Sequence, residues 1–291
     1  MSGYASAFRP DLFAGQTIIV TGGGSGIGRC TAHELAALGA HVVLVGRQQE
    51  KLDIVLSEIR EDGGSAEAHS GDIRDEDRMS EIVQEVLDDH GRIHGLVNNA
   101  GGQYRAALKT IKTKGFEAVL RTNVVGGFIM MREVYNRSME EHGGAIVNIV
   151  ADMWMGWPMY GHSGAARSAM WNLTETAAAE WGEAGVRVNA VAPGSIASSG
   201  LDTYDPEDDG YMQRDLRGEI PLQRWGTESE ISAAITFLLS PAASFTSGSV
   251  VRVDGGAPNG ARSWVLPEEA RNNEPFQGFH RPQSPRILDK K

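Results

Sequence analysis

A glycine-rich segment near the start of the chain could bind a phosphate group. It runs from Thr21 to Gly28, reads Thr-Gly-Gly-Gly-Ser-Gly-Ile-Gly, and lies between an apolar β-branched run and a stretch of helical periodicity. Glycines allow a tight turn, and the N–H groups at the start of a helix attract a pyrophosphate. Strand, turn and helix in this order predict a dinucleotide site. Its predicted contacts are Gly22, Ser25, Gly26, Ile27 and Gly28.

The end of the second predicted strand, Val45-Gly46-Arg47, indicates which dinucleotide is bound. An NAD site typically has a carboxylate there, about 20 residues after the glycines, for the ribose hydroxyls. This sequence has no acid at that point, and the guanidinium of Arg47 can donate two hydrogen bonds to a 2′-phosphate. The pattern favours NADP(H) over NAD(H), and an ordinary surface charge is the alternative role for Arg47.

Short β-branched runs alternate with amphipathic stretches between residues 16 and 254. This alternation predicts an α/β fold, a Rossmann-type doubly wound sheet of seven parallel strands with helices on both faces. The predicted strands are Thr17–Thr21, His41–Val45, Ala66–Ser70, Gly95–Asn98, Ala145–Ile149, Arg187–Val191 and Ser249–Val253. The predicted helices begin after Gly26 and continue with Gln48–Arg60, Asp75–His90, Thr113–Glu141, Ser163–Trp181 and Glu228–Leu239.

The same reading divides the chain into an N-terminal arm (1–15), one dinucleotide-binding domain (16–257) and a C-terminal extension (258–291). Residues 195–224 are rich in Gly, Asp, Ser and Tyr, which predicts a lid over a pocket. The extension contains several prolines and aromatic residues. We expect it to lie over the body or a neighbouring subunit, and disorder is the alternative.

Composition excludes several classes of protein. The formal charge of -11 argues against binding to nucleic acid or to an anionic membrane surface by net charge. Cys30 is the single cysteine, so no intramolecular disulfide can form. Residues 1–13 do not resemble a signal peptide, and no segment has the roughly 18 apolar residues of a membrane span. These features predict a cytoplasmic protein, and the histidine spacing predicts no metal site.

The spacing Thr-Gly-x-x-x-Gly-x-Gly resembles that of the short-chain dehydrogenase/reductase superfamily. Further matches are Asp72-Ile73, Asn98-Asn99-Ala100-Gly101, Asn123 and Pro193-Gly194, so the resemblance covers about residues 11–257. It implies that Asp72 and Ile73 border the adenine, and that the crevice is lined by Asn99, Ala100 and Gly101. It also implies a nicotinamide site at Pro193, Gly194, Ile196 and Ser198.

The resemblance fails at the residues that usually do the chemistry. Most members are similar in using a Ser, an Asn, and a Tyr and a Lys four residues apart on one helix. Here Ala151, Ser163 and Arg167 stand at the Ser, Tyr and Lys positions, and only Asn123 is kept. An aliphatic hydroxyl is a much weaker acid than a phenol, and a guanidinium cannot shuttle protons. Direct carbonyl reduction or alcohol oxidation therefore loses its usual acid and base.

Three other short sequence segments resemble one branch of this superfamily in particular. Those at residues 98–104, 162–167 and 238–245 look like the peroxisomal trans-2-enoyl-CoA reductase and 2,4-dienoyl-CoA reductase branch, which bacterial citronellol and citronellal dehydrogenases resemble. This implies NADPH-dependent reduction of the 2,3 double bond of an enoyl thioester. Asn123 and Ser163 would stabilise charge on the carbonyl oxygen, and Arg167 would orient the cofactor ribose. The α-carbon proton would come from water, Tyr160, His162 or Asp152.

Alternatives remain open. A dehydrogenase of terpenoid alcohols or aldehydes could use His162 or Tyr160 as its base, and a pseudoenzyme could bind the cofactor without turnover. Ser163 could simply cap a helix, Arg167 could serve in a structural ion pair, and Tyr160 could form a pocket wall. The resemblance also implies a homo-oligomer formed through the helices at 113–141 and 163–181.

Overall fold

The computed structural model describes residues 3–203, 219–257 and 271–285. The strands are β1 Thr17–Thr21, β2 His41–Gly46, β3 Ser65–Ser70, β4 Gly95–Asn98, β5 Gly144–Ile149, β6 Val186–Pro193, β7 Ile196–Ala197, β8 Gly226–Thr227 and β9 Val250–Val253. The helices are α1 Gly26–Ala37, α2 Gln49–Glu61, α3 Glu76–His90, α4 Thr113–Leu120, α5 Gly126–Val134, α6 Glu140–His142, α7 Gly161–Glu180 and α8 Glu228–Leu239.

One sheet forms the centre of the molecule. Its seven strands pair in parallel in the order β3-β2-β1-β4-β5-β6-β9, which confirms the predicted doubly wound α/β fold. Because β1 pairs with β2 on one side and with β4 on the other, the winding reverses between β1 and β4. Ligands of such sheets bind outside the carboxyl ends of the strands at this reversal. The ends at Thr21 and Asn98 therefore mark the expected site.

Alternate side chains of the strands enter two apolar layers. Ile18 packs in one layer with Leu35 of α1 and Ile235 of α8, whereas Ile19 packs in the other with Ile82 of α3. Removing each of these side chains from water stabilises the fold by about 1.5–3 kcal/mol. Both ends of β1 are therefore fixed between two packed helix layers.

The prediction of one regular helix over residues 113–141 is wrong in one respect. π-helical turns at Arg121–Val125 and Tyr135–Met139 separate α4, α5 and α6. A π turn holds one residue more than an α-helical turn, so it changes which residues of the following segment face a given neighbour. Accordingly α4 packs against α7, whereas α5 packs against α3 and β4. Apolar periodicity alone does not distinguish such a helix from a regular one.

Residues 271–285 lie on the outer side of α1. The Phe279 side chain is 1% exposed, and its ring centroid lies 5.8 Å from that of Tyr4 and 5.0 Å from that of His33. The Phe279 N–H donates to Oγ of Ser229 at 3.0 Å. The arm before β1 and this part of the extension thus share one interface.

The predicted lid is described only in part, because residues 204–218 lie outside the described residues. Its first part contains β7, which pairs in parallel with β8 beyond the lid. Within the described chain, none of the helices combines the length and apolar character required to span a bilayer.

Candidate active site

Thr21, the last residue of β1, and Asn99, the first residue after β4, hold the glycine turn in place. Oγ1 of Thr21 accepts hydrogen bonds from the N–H groups of Asn99 and Ala100, both at 3.0 Å, and Asn99 Nδ2 donates to the Thr21 carbonyl at 3.0 Å. A Cβ on Gly28 would lie 2.3 Å from the carbonyl oxygen of Gly22. Only glycine fits there, so the start of α1 packs directly against the turn.

A groove of about 340 Å³ opens along this turn. Its walls include most of the residues predicted to bind the cofactor: Gly22, Ser25, Gly26, Ile27, Arg47, Asp72, Ile73, Asn99, Ala100, Gly101 and Ser198. Gly28 lies beneath the turn rather than in the wall, and Ile196 lines a neighbouring cavity of about 410 Å³. Pro193 ends β6, and the Gly194 N–H donates to Val253 at 3.0 Å.

The end of the groove at which the adenosine is predicted to lie carries two arginines. Arg47 is exposed at the end of β2, and Arg74 donates to both carboxylate oxygens of Asp72 at 2.9 and 2.5 Å. The Arg74 guanidinium, with a contribution from Arg47, lowers the pKa of Asp72 to about 2. Lys51 also lines the groove, so its wall has three positive charges and one negative charge and is net positive. Arg74 was missed in the sequence, although it follows the Asp72-Ile73 pair directly.

Asn123 lies within the first π turn and faces the loop after β4. Its Oδ1 accepts from the Gly102 N–H at 3.0 Å, and its Nδ2 donates to the Gly102 carbonyl at 2.7 Å. This two-way pairing fixes the loop backbone. Asn123 is therefore placed to hold the crevice in shape, and its amide nitrogen carries a second N–H.

Ser163 lies in the first turn of α7, but it does not cap that helix. The N-cap is Tyr160, and the Ser163 hydroxyl donates to Oε1 of Gln103 at 2.7 Å. The Ser163 side chain is fully buried, so a substrate reaches it only when Gln103 moves. Gln103 is a second residue that the sequence did not single out as functional.

The Arg167 guanidinium lies between the end of β5 and the loop after β4. Its Nη1 donates to the Ile149 carbonyl at 2.6 Å, and its Nη2 would lie 2.7 Å from a Cβ placed on Gly101. Its buried Nε has no hydrogen-bond partner among the described residues. Burial lowers the pKa of Arg167 to about 10, so the group still carries its charge at neutral pH.

Three further polar residues lie between the end of β5 and the first turn of α7. Tyr160 is 3% exposed, with its ring centroid 5.1 Å from that of Trp157. The His162 ring packs edge-on against Tyr104, and burial lowers the pKa of His162, which favours its neutral form. Burial, aided by the nearby Asp254 charge, raises the pKa of Asp152.

A buried carboxyl below the glycine turn is a third feature missed in the sequence. Glu228 begins α8 and is 6% exposed, and its Oε1 would lie 3.8 Å from a Cβ on Gly26. Burial raises the pKa of Glu228 to about 7, although the charge of Arg29 opposes the shift. A group that titrates near neutrality thus lies next to the predicted pyrophosphate position.

Comparisons with known proteins agree with this geometry. The model of a family described as enoyl-(acyl carrier protein) reductase matches residues 22–258. This chain belongs to the short-chain dehydrogenase/reductase family. It is therefore an oxidoreductase of a family that binds NAD(P), and the resemblance inferred from the glycine turn is confirmed.

Three relatives of this short-chain dehydrogenase/reductase differ in their named substrates. The peroxisomal 2,4-dienoyl-CoA reductase of Danio rerio is 35% identical over 88% of this chain and 86% of its own length. The structure of the citronellol catabolism dehydrogenase AtuB of Pseudomonas aeruginosa is 61% identical, covers 87% of this chain and 99% of that one, and superposes with a TM-score of 0.79. A Beutenbergia cavernae structure, described as an NAD(P)-dependent gluconate 5-dehydrogenase with NADP bound at low occupancy, is 34% identical over 86% and 99% of the two chains, with a TM-score of 0.79.

Proposed function

We propose that the protein is an NADP(H)-dependent reductase of the 2,3 double bond of enoyl thioesters. The observation that carries this proposal is the charged Arg167 guanidinium, four residues after Ser163 on α7. A guanidinium that carries its charge at neutral pH stabilises negative charge that develops nearby. Reduction of a conjugated double bond needs this stabilisation.

The residues of the crevice support a division of roles. NADPH, when bound, would supply a hydride to the β-carbon of the substrate, and the α-carbon would take a proton from water, Tyr160, His162 or Asp152. Arg167 adds positive potential where the thioester carbonyl gains negative charge, and the Ser163 hydroxyl donates to that oxygen in place of Gln103. Asn123 is a positioning residue, since its amide pairs with Gly102.

The glycine turn fits a dinucleotide, because Gly22, Ser25, Gly26 and Ile27 line the groove at the start of α1. Preference for NADP(H) over NAD(H) rests on Arg47 and Arg74, which line the groove together with the carboxylate of Asp72, to which Arg74 donates. Guanidinium groups bind phosphates with two hydrogen bonds, so the 2′-phosphate is the part of the cofactor they recognise.

The test is a series of enoyl-CoA substrates, from crotonyl-CoA to decenoyl-CoA, with NADPH oxidation followed by absorbance. We expect turnover that falls about 100-fold in Ser163→Ala, because one donor to the developing oxyanion is lost. The exposed Ser57→Ala variant is the matched control. Absence of turnover at every chain length rejects the proposal, and tight NADPH binding without turnover on any substrate favours a pseudoenzyme.

A second candidate is a dehydrogenase of branched terpenoid alcohols such as citronellol. The observation that favours it is the 61% identity to the citronellol catabolism dehydrogenase over 99% of that chain. Citronellol-dependent reduction of NAD(P), lost in Tyr160→Phe or His162→Ala and kept in Ser163→Ala, supports this candidate over the first.

We also propose a cytoplasmic homo-oligomer assembled through the long helices. These are the helical segments at residues 113–141 and 163–181. Val125 and Phe128, both in the first segment, expose 41% and 39% of their surface. Apolar side chains grouped on one helix favour burial against a second copy. Light scattering coupled to size exclusion measures the assembly, and a monomer at micromolar concentration contradicts it.

A further inference from the structure

Three histidines surround one carboxylate at the β3 edge of the sheet, on the layer covered by α3. The carboxylate is that of Glu67 in β3, and the imidazoles are those of His41, His69 and His90. Their Nε2 atoms lie 3.6, 3.2 and 3.2 Å from the Glu67 oxygens. The linear spacing of these residues predicted no ligand set, but the fold brings them together.

These separations match those of a metal coordination shell. Tetrahedral zinc with Zn–N bonds of about 2.0–2.1 Å places its ligand atoms about 3.4 Å apart. The ligand atoms of His41, Glu67 and His90 all lie within 4.8 Å of one another, so modest side-chain rotations close the shell. The buried Nε2 of His41 faces this centre and has no hydrogen-bond partner among the described residues.

The outer nitrogens of two imidazoles are fixed as they are in metal sites. His41 Nδ1 lies 2.7 Å from Oγ of Ser65, and His69 Nδ1 lies 3.0 Å from a carboxylate oxygen of Glu85. Ligating histidines commonly donate this second N–H to a hydroxyl or carboxylate, which orients the ring toward the ion. His41 Nε2 can therefore present its lone pair to the ion, whereas His69 contacts the other oxygen of Glu67 and orients that carboxylate.

A second histidine cluster in the fold provides a contrast. His33, Asp62 and His280 also approach within 4.8 Å of one another. There, however, Arg281 donates to His280 Nε2 at 3.2 Å and to Asp62 at 3.2 Å, so a guanidinium already occupies the lone pairs that a metal needs. At Glu67, the ion pairs formed within the described residues run to imidazoles.

We propose that His41, Glu67 and His90 form a binding site for a divalent transition metal of the zinc type, with a water molecule completing the coordination. Imidazole and carboxylate donors suit Zn²⁺ and Co²⁺ better than the oxygen-seeking Mg²⁺ and Ca²⁺. The site joins β2, β3 and the end of α3. Since His41 begins β2, whereas the cofactor groove lies at the strand ends, the metal has a structural role separate from catalysis.

The experiment uses the full chain after treatment with EDTA and dialysis. Calorimetric titration with Zn²⁺ should give about one ion per chain, and Co²⁺ should give the visible absorption of a tetrahedral site. In the wild type, Zn²⁺ at a hundredfold excess over Kd should raise Tm by about 5 °C. Far-UV circular dichroism and NADPH binding show that each variant is folded.

Matched variants test whether Zn²⁺ binds at Glu67. His90→Ala, His90→Gln and Glu67→Gln should each weaken Zn²⁺ binding at least about tenfold and remove the Tm shift. His280→Ala and the exposed His142→Ala should change neither. The proposal is overturned if the wild type takes up no Zn²⁺, if binding survives both His90 variants, or if His280→Ala abolishes it.

Discussion

A Cβ atom placed on Gly101 would lie 2.7 Å from Nη2 of Arg167, so the guanidinium rests against the backbone of the loop after β4. The same Cβ would lie 2.7 Å from Oδ1 of Asn123. One glycine therefore sets the separation between the charged group of the crevice and the residue that holds the loop.

Gly101→Ala should lower kcat/KM about 100-fold on the substrate that the assays identify, because misplacing a group by about 1 Å has an effect of this size. Steady-state kinetics measure it. The control is Gly182→Ala, where no atom of the described chain lies within 4 Å of the added methyl. Equal activity in the two variants would show that Arg167 and Asn123 do not depend on the glycine.

Arg47→Ala should raise KM for NADPH between about 10- and 100-fold and leave KM for NADH nearly unchanged. The reason is that a charged hydrogen bond to the 2′-phosphate contributes about 1.5–3 kcal/mol. Initial rates with both cofactors measure the ratio. The exposed Arg60→Ala in α2 removes the same charge outside the groove and should not alter it. A parallel loss with NADH contradicts a role in cofactor preference.

Glu228 should make stability depend on pH. Its folded pKa of about 7 is above its ordinary value of 4.5, so the folded state holds the proton more tightly than the unfolded state does. The free energy of unfolding is therefore highest below pH 4.5 with respect to this group and falls, by about 3 kcal/mol, as pH rises through about 7. Urea unfolding of wild type and Glu228→Gln across pH 5 to 8 measures the difference, which should disappear in the variant.

The same titration should affect cofactor binding. When Glu228 ionises, its charge lies close to the helix start at which we propose that the pyrophosphate binds, so the Kd for NADPH should rise about tenfold between pH 6 and pH 8. Fluorescence titration measures this Kd. In Glu228→Gln the rise should be absent, and an unchanged pH profile in that variant assigns the dependence to another group.

Phe279→Ala should lower the free energy of unfolding by about 3 kcal/mol, because a fully buried ring is removed from between Tyr4 and His33. Thermal and urea unfolding measure the loss. Phe245→Ala is a suitable control, since that ring is fully exposed. Equal stability of the two variants would mean that residues 271–285 are not docked on α1 in solution.

Much of the architecture was predictable because its signals are local. The glycine turn at Thr21 to Gly28 and the strand bounds depend on residue types within short windows, and they agree with the structure to within about two residues. The groove walls follow, since parallel strands bring their ends together at one edge.

The site residues that the sequence did not reveal are brought together by contacts between segments far apart in the chain. Gln103 meets Ser163 across 60 positions, and Glu228 reaches Gly26 from the far end of the domain. The histidines around Glu67 come from two strands and a helix end, with no spacing motif to mark them. Patterns in the chain indicate which elements form, but not which side chains meet once those elements pack.

The π turn at Arg121–Val125 makes the long helix sensitive to chain length. A π turn accommodates one residue more than a regular turn, so removing one residue there would restore regular winding and leave α4 and α5 in nearly their present orientations. Asn123 lies within the turn that would be lost, so its two hydrogen bonds to Gly102 would be the contacts most exposed to the change. A deletion of one residue would thus act on the loop after β4 while leaving the sheet and the helix packing in place.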